Sequence, residues 1–437
     1  MEWQLALIVI FGCLLVLMAT GMPVAFAFMI INVAGVAILW GVTPGLRQLT
    51  LSFFDSLSSF LLVPVPLFIL MGEVMFCSGM APLLIETVDK WLGRLPGRLG
   101  LLAVGGGTLF ATLSGASMAS TAVLGSVLVP EMERRGYKKP MSLGPILGSG
   151  GLAIMIPPSN LAVLLGAVGE ISVGRILIAI IIPGLLMAAL YATYIIMRCR
   201  LQPSVAPAYE VVSPPLSERL IDTARYVLPL GFIVFLVVGL IFLGVATPSE
   251  AAATGALGTF ILAAFYRKLN WDLVKKSASS TLQVTVMMFM IIAGATAFSH
   301  VIAYSGASQG LIEFAMALPL PPILIVAAML AVSIFLGMFI NLLAIIMLTI
   351  PLFVPLVMAL GFDPVWFAVI FLLTLEMGAT SPPFGLSLFV MKGVAPPGTT
   401  MGDIYRAAIP FLGCDLVVLV LLLAAPTIAL WLPNLMR

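Results

Sequence analysis

The chain has 437 residues, 62% of them hydrophobic and only 9% charged. A soluble globular chain carries roughly 25% charged residues, so a water-soluble fold is excluded. A net charge of +2 gives no electrostatic reason to expect nucleic acid as a partner.

The N-terminus, Met1-Glu2-Trp3, lacks the basic segment of a signal peptide. The first apolar stretch is therefore expected to stay as a transmembrane helix. A helix needs about 20 apolar residues to cross a bilayer. Runs of that kind lie at 3–20, 22–40, 53–75, 176–197, 226–245, 249–265, 280–303 and 407–432. Cys13, Cys77, Cys199 and Cys414 sit in or beside such runs without paired spacing, and read as small hydrophobes.

Two longer runs differ. Residues 99–130 are interrupted by Ser114-Gly115-Ala116-Ser117, and residues 323–358 around Asn341. Each is too long for one span and lacks the loop that would join two. Each is expected to form a re-entrant helical hairpin that turns near the midplane. A Pro–Pro pair follows each run: Pro157-Pro158 inside 141–168, and Pro382-Pro383 inside 365–391. Two adjacent prolines remove two N–H donors and clash with the preceding turn, so a broken helix is expected at both places. Irregular backbone at membrane depth survives only when buried in protein or lining a cavity.

The landmarks recur at an offset of 225 to 227: Pro23 and Pro248, Ser78-Gly79 and Ser305-Gly306, Pro130 and Pro355, Gly136 and Gly361, and the two Pro–Pro pairs. The expected architecture is all-α, with two structurally similar repeats, 1–200 and 221–437, joined by a Pro- and Ser-rich linker at 201–220. Segments 77–95 and 305–317 read as arms lying along the membrane surface. Lys and Arg concentrate on cytoplasmic loops. Bases flank the first hairpin and none flanks the second, so the hairpins open to opposite sides and the repeats are inverted. With both termini outside, 17 of the 20 basic residues fall inside.

Broken helices expose free N–H groups at one end and carbonyls at the other, which suit anions and cations respectively. The candidate Na⁺- and substrate-binding residues are Ser114, Gly115, Ser117, Ser120 and Thr121 at the first tip. Ser149, Gly150, Pro157, Pro158, Ser159 and Asn160 surround the first break. Asn341 marks the second tip, and Glu376, Thr380, Ser381, Pro382, Pro383 and Gly385 the second break. The competing explanation for Ser, Gly and Ala here is close helix packing, which is preferred for Gly100, Gly105, Gly106 and Gly107. An intramembrane carboxylate is a functional candidate by default. Glu376 would either orient the site or cap the broken helix; Glu73 and Asp415 also lie in spans. Glu250, after Thr247-Pro248-Ser249, reads as part of a capping box. His300 reads as a packed histidine near the outer surface. No phosphate-binding loop, His-Glu-x-x-His motif or Cys/His cluster is present, so no enzyme and no cofactor beyond a coupling ion is expected.

Five stretches together resemble one family: Gly21-Met22-Pro23-Val24-Ala25-Phe26, Leu113-Ser114-Gly115-Ala116-Ser117, Met155-Ile156-Pro157-Pro158-Ser159, Thr247-Pro248-Ser249-Glu250-Ala251-Ala252 and Glu376 through Gly385. The chain resembles the large membrane subunit (DctM-type) of tripartite ATP-independent periplasmic (TRAP) transporters. The resemblance covers essentially its whole length. It implies an elevator mechanism driven by a Na⁺ gradient in the bacterial inner membrane, where the charge distribution above places both termini on the periplasmic side. It also implies a small four-helix membrane subunit, expected as a separate chain, and a periplasmic substrate-binding protein that delivers an organic acid, a carboxylate or sulfonate. Membrane lipid surrounds it, and nucleic acid has no role. The first tip reads Ser-Gly-Ala-Ser-Met-Ala-Ser, and Met118 departs from the family's denser run of small residues. A stand-alone ion-coupled anion carrier, a channel and a structural membrane protein are the alternatives.

Overall fold

The computed structural model describes residues 3–93, 95–114, 117–207 and 214–436, except the side chains of 81 and 110–114. The protein is all-helical, with no strand among the described residues. Among the described residues, six helical segments are long and apolar enough to cross a membrane, or seven if the bent pair at the first break counts as one span.

The first half opens with α1 (Trp3–Ala19), α2 (Val24–Trp40), α3 (Val42–Leu57) and α4 (Pro64–Cys77). Helix α3 corrects the sequence reading, in which no helix covers 42–52 and one span covers 53–75. The chain turns at Ser58 and Ser59, where Ser59 caps a short 3₁₀ turn and Pro64 then starts α4. Proline is favoured at a helix's first position, where its missing N–H has no partner to lose. Helix α5 (Ala81–Leu92) covers most of the segment expected as a surface arm. Next come α6 (Arg98–Ser114), α7 (Ser117–Arg134), α8 (Lys139–Met155), α9 (Asn160–Val168), α10 (Val173–Ala179) and α11 (Ile181–Leu201).

The second half begins with α12 (Leu216–Asp222), α13 (Leu228–Val234) and α14 (Leu240–Phe242), joined through π turns at Thr223–Val227 and Phe235–Gly239. Helix α15 (Pro248–Phe265) starts with a full capping box between Thr247 and Glu250. Helix α16 (Trp271–Tyr304) is unbroken over 34 residues, starting nine residues before the apolar run. Asn270 caps it, accepting from the Leu273 N–H at 2.7 Å. The polar first turns extend the helix without adding apolar length, so hydropathy alone misses them. After α17 (Ala307–Ala317) come α18 (Pro322–Gly337), α19 (Leu342–Ala359), α20 (Pro364–Thr380), α21 (Leu386–Val394), α22 (Met401–Ala424) and α23 (Thr427–Leu430). The last apolar run, 407–432, outlasts its helix: α22 ends at Ala424, just before Pro426. Leu342–Ala359 has the length of a span by itself. His300 is exposed, not packed.

Two groups of helices pack internally. Helices α2, α3, α4, α15 and α16 form one; Asn32 reaches across it to the Gly294 carbonyl at 2.7 Å. Helices α6–α8, α11, α18, α20, α21 and α22 form the other. Helix α20 is buried along almost its whole length, and its Trp366 Nε1 donates to the Leu422 carbonyl of α22 at 2.8 Å. A helix apolar all round belongs at the centre of a bundle, and α20 is that helix.

Candidate functional site

Both Pro–Pro pairs interrupt a helix. Helix α8 stops at Met155 and α9 starts at Asn160, bent by 43°. Helix α20 stops at Thr380 and α21 starts at Leu386. Both Pro–Pro peptide bonds are cis. Ser159 caps α9, accepting from the Ala162 N–H at 3.4 Å. Asn341 caps α19, accepting from the Ala344 N–H at 2.8 Å. Pro157, Pro158 and Ser159 are buried, whereas Pro383 and Asn341 are exposed.

The interruptions interlock. Helix α7 packs on α21, the segment after the second break, and α19 packs on α9, the segment after the first. At Gly125 of α7 an added Cβ would lie 2.6 Å from Val394 of α21.

The side chains meet around Gly150 and Gly151 of α8. A Cβ at Gly150 would lie 2.1 Å from Thr121 Oγ1 and 3.3 Å from the Ser117 carbonyl oxygen. A Cβ at Gly151 would lie 2.6 Å from Glu376 Cγ and 2.9 Å from its Oε1. Only glycine lets α7 and α20 approach α8 this closely. Ser117 Oγ donates to Glu376 Oε2 at 3.0 Å, across 259 positions of sequence. Glu376 is 1% exposed, and its Oε1 has no hydrogen-bond partner among the described residues. Thr121 Oγ1, fully buried, and Ser387 Oγ on α21 also lack one. Unpartnered buried oxygens are uncommon and call for an explanation. Carboxylate and hydroxyl oxygens are the ligands a hard cation takes.

The structure thus brings together Ser117, Thr121, Gly150 and Glu376. Thr380 is one turn on, its Oγ1 donating to the Glu376 carbonyl at 2.9 Å. Ser381 Oγ donates to the Met377 carbonyl at 2.6 Å, so both hydroxyls serve the end of α20. Glu376 does not cap the broken helix; it reaches sideways to α7. Ser149 Oγ donates to Ile146 within α8, and Gly107 of α6 faces it, where a Cβ would lie 2.5 Å away. Ser120 is buried. Gly385 abuts the carbonyl of Ala379, 2.4 Å from where a Cβ would stand. Asn160 begins α9 and Pro382 lies in the second break. Asn341 sits at the start of α19, and nothing ties its side chain to the Glu376 cluster. The side chain of Ser114 and all of Gly115 lie outside the described residues.

The site reading left out Tyr191 and held Asp415 only as a carboxylate lying in a span. A small cavity, room for about one water, is lined by Leu147, Gly148, Tyr191, Glu376, Thr380 and Asp415 among others. Nothing in the order of residues places Tyr191 beside Asp415; only an intramembrane tyrosine and carboxylate hint at it.

A multi-pass helical bundle whose interrupted helices meet around buried oxygen atoms is built as a membrane transport protein. The family model for the tripartite ATP-independent periplasmic transporter, DctM component, matches residues 11–428. The chain is 33% identical to the C4-dicarboxylate TRAP transporter large permease protein DctM of Pseudomonas aeruginosa, over 89% of this chain and 90% of that one. It is 31% identical to the protein of the same description from Rhodobacter capsulatus, over 98% and 99%. Its fold is similar to the Alcanivorax borkumensis YdaH transporter, with a TM-score of 0.66 at 16% identity, covering 90% of this chain and 91% of that one. The chain belongs to the DctM family of TRAP transporter large permeases. It is a multi-pass inner-membrane protein of transport, not an enzyme.

Proposed function

We propose that this chain is the large subunit of a Na⁺-coupled TRAP transporter that imports an organic acid by an elevator movement. The observation that carries the Na⁺ reading is the Ser117–Glu376 contact with its unpartnered neighbours, Glu376 Oε1 and Thr121 Oγ1. These oxygens lie where a helix-pair arm, an interrupted helix and Gly150-Gly151 converge. A buried carboxylate with no cationic side chain bonded to it is costly unless a cation or proton joins it.

Two inverted repeats account for the interlocking of α7 with α21 and of α9 with α19. Each would supply one re-entrant hairpin and one broken helix. The bundle around α8 and α20 would move, and the group around α4 and α16 would stay as scaffold. The basic residues argue for cytoplasmic linker and arm ends, with both termini periplasmic. A small membrane subunit and a periplasmic binding protein complete the assembly, and the similarity to C4-dicarboxylate permeases makes a dicarboxylate the first substrate to try.

The test is uptake of radiolabelled C4-dicarboxylates into proteoliposomes holding this chain. Uptake that needs an inward Na⁺ gradient, the small subunit and the binding protein supports the assignment. Accumulation by this chain alone points to a stand-alone carrier. Downhill flux without accumulation, whatever the ion gradient, removes active transport altogether.

A further inference from the structure

We infer that Tyr191 and Asp415 are positioning residues for the Glu376 site: their hydrogen bond holds the wall on which α8 rests through Gly144 and Gly148, and so the backbone that presents Gly150 to Thr121 and Gly151 to Glu376. The inference rests on the Na⁺ reading of that site and extends it to two residues outside it.

Tyr191 of α11 is fully buried and Asp415 of α22 is 3% exposed. The Tyr191 hydroxyl donates to Asp415 Oδ1. No ion pair involves Asp415 among the described residues. The phenol is thus the partner that makes a buried carboxyl tolerable here. Phe411, one turn before Asp415, meets the Tyr191 ring edge-on at 5.2 Å and the Tyr194 ring at 5.4 Å. These aromatics form a plate joining α11 to α22.

Helix α8 lies on that plate through its glycines. A Cβ at Gly144 would stand 2.6 Å from Phe411 Cε2. One at Gly148 would stand 2.5 Å from Phe411 Cδ1 and 3.3 Å from Tyr191 Cε2. Two and three residues further along, Gly150 and Gly151 meet Thr121 and Glu376. Any slip of α11 against α22 therefore moves the backbone that Glu376 leans on. Tyr191 and Asp415 line the same water-sized cavity as Glu376 and Thr380, so the coupling is short. Interiors are close-packed and transmit such shifts.

The experiment measures binding of radiolabelled Na⁺ to the purified full-length chain in nanodiscs, with the melting temperature recorded for each variant. Tyr191→Phe and Asp415→Leu remove the hydrogen bond; Asp415→Asn keeps a carbonyl acceptor for the phenol. The expected result is Na⁺ affinity about tenfold weaker in Y191F and D415L, and close to wild type in D415N. A merely structural tie would lower the melting temperature and leave affinity alone. A folded Y191F with wild-type affinity overturns the inference, as does a D415N weakened as much as Y191F. If D415L does not fold, Y191F and D415N decide. Should the wild type bind no Na⁺, the Na⁺ reading falls by itself. The positioning role is then decided by amide exchange over Thr380–Gly385: faster in Y191F upholds it, and equal rates overturn it.

Discussion

Replacing Ser117 with alanine removes from Glu376 the side-chain donor it has among the described residues. Ser117 Oγ sits 3.0 Å from Oε2, and Oε1 has no partner. Gly151 closes against the carboxyl carbon, so the group has little room to turn toward another donor. A hydrogen bond to a charged group contributes about 1.5–3 kcal/mol, and a buried acceptor left bare costs a similar amount. The position is 5% exposed, so water offers little relief. If the cation is held here, Ser117→Ala takes about 2 kcal/mol from its binding, which is about thirtyfold in affinity. The assay is a double-mutant cycle with Glu376→Gln, read by Na⁺ binding and by unfolding in mild detergent. Residues in direct contact are expected to couple by about 0.5–3 kcal/mol. A Ser117→Ala protein that folds and binds Na⁺ within twofold of wild type would refute the assignment of this pair to the ion site. A coupling energy near zero would show that the contact is incidental.

Three further outcomes are expected. Gly151→Ala drives a methyl to 2.6 Å from Glu376 Cγ; overpacking of this kind costs about 1–3 kcal/mol, and an unchanged melting temperature would contradict the packing. Asn341→Ala removes the cap of α19, costing about 1 kcal/mol, and weakens Na⁺-driven uptake; unchanged Na⁺ dependence would take Asn341 out of the site. On the linker side, Lys90 contacts Glu218 at 2.8 Å and Asp222 at 2.5 Å, while Trp91 Nε1 donates to Thr223 Oγ1 at 2.8 Å. The hydrogen bond to Asp222, then that to Glu218, hold the Lys90 ammonium above its ordinary range. Since the folded value is the raised one, this clasp is complete below the ordinary lysine value. It is lost only as pH climbs through the higher, folded one. Lys90→Gln should therefore speed proteolysis of the linker at neutral pH, and 1 M salt should do so in part. Equal cleavage of variant and wild type would rule the clasp out.

Much of the secondary structure was legible because its signals are local. Two adjacent prolines break a helix whatever surrounds them, so 157–158 and 382–383 mark interruptions from the chain alone. Thr247 and Glu250 form their capping box within one turn. The α3 helix and the first turns of α16 were missed for the converse reason. Their residues are polar or amphipathic, and hydropathy finds only what is apolar.

The candidate site was half legible. Ser117, Thr121 and Glu376 stand out as polar residues in apolar runs, and a polar residue at membrane depth needs a reason. That Ser117 touches Glu376 across 259 positions, and that Thr121 meets Gly150, follows from how α7, α8 and α20 cross. Tyr191 belongs entirely to that second kind of knowledge; Asp415 was legible as a carboxylate within a span, but its partner was not. The amino-acid sequence by itself determined that this is an intramembrane helical protein with two broken segments, because burial of apolar surface and loss of backbone N–H donors are properties of the residues. Which oxygens face one another was decided only by tertiary structure, because glycine permits a close approach without naming the partner, and packing chooses it.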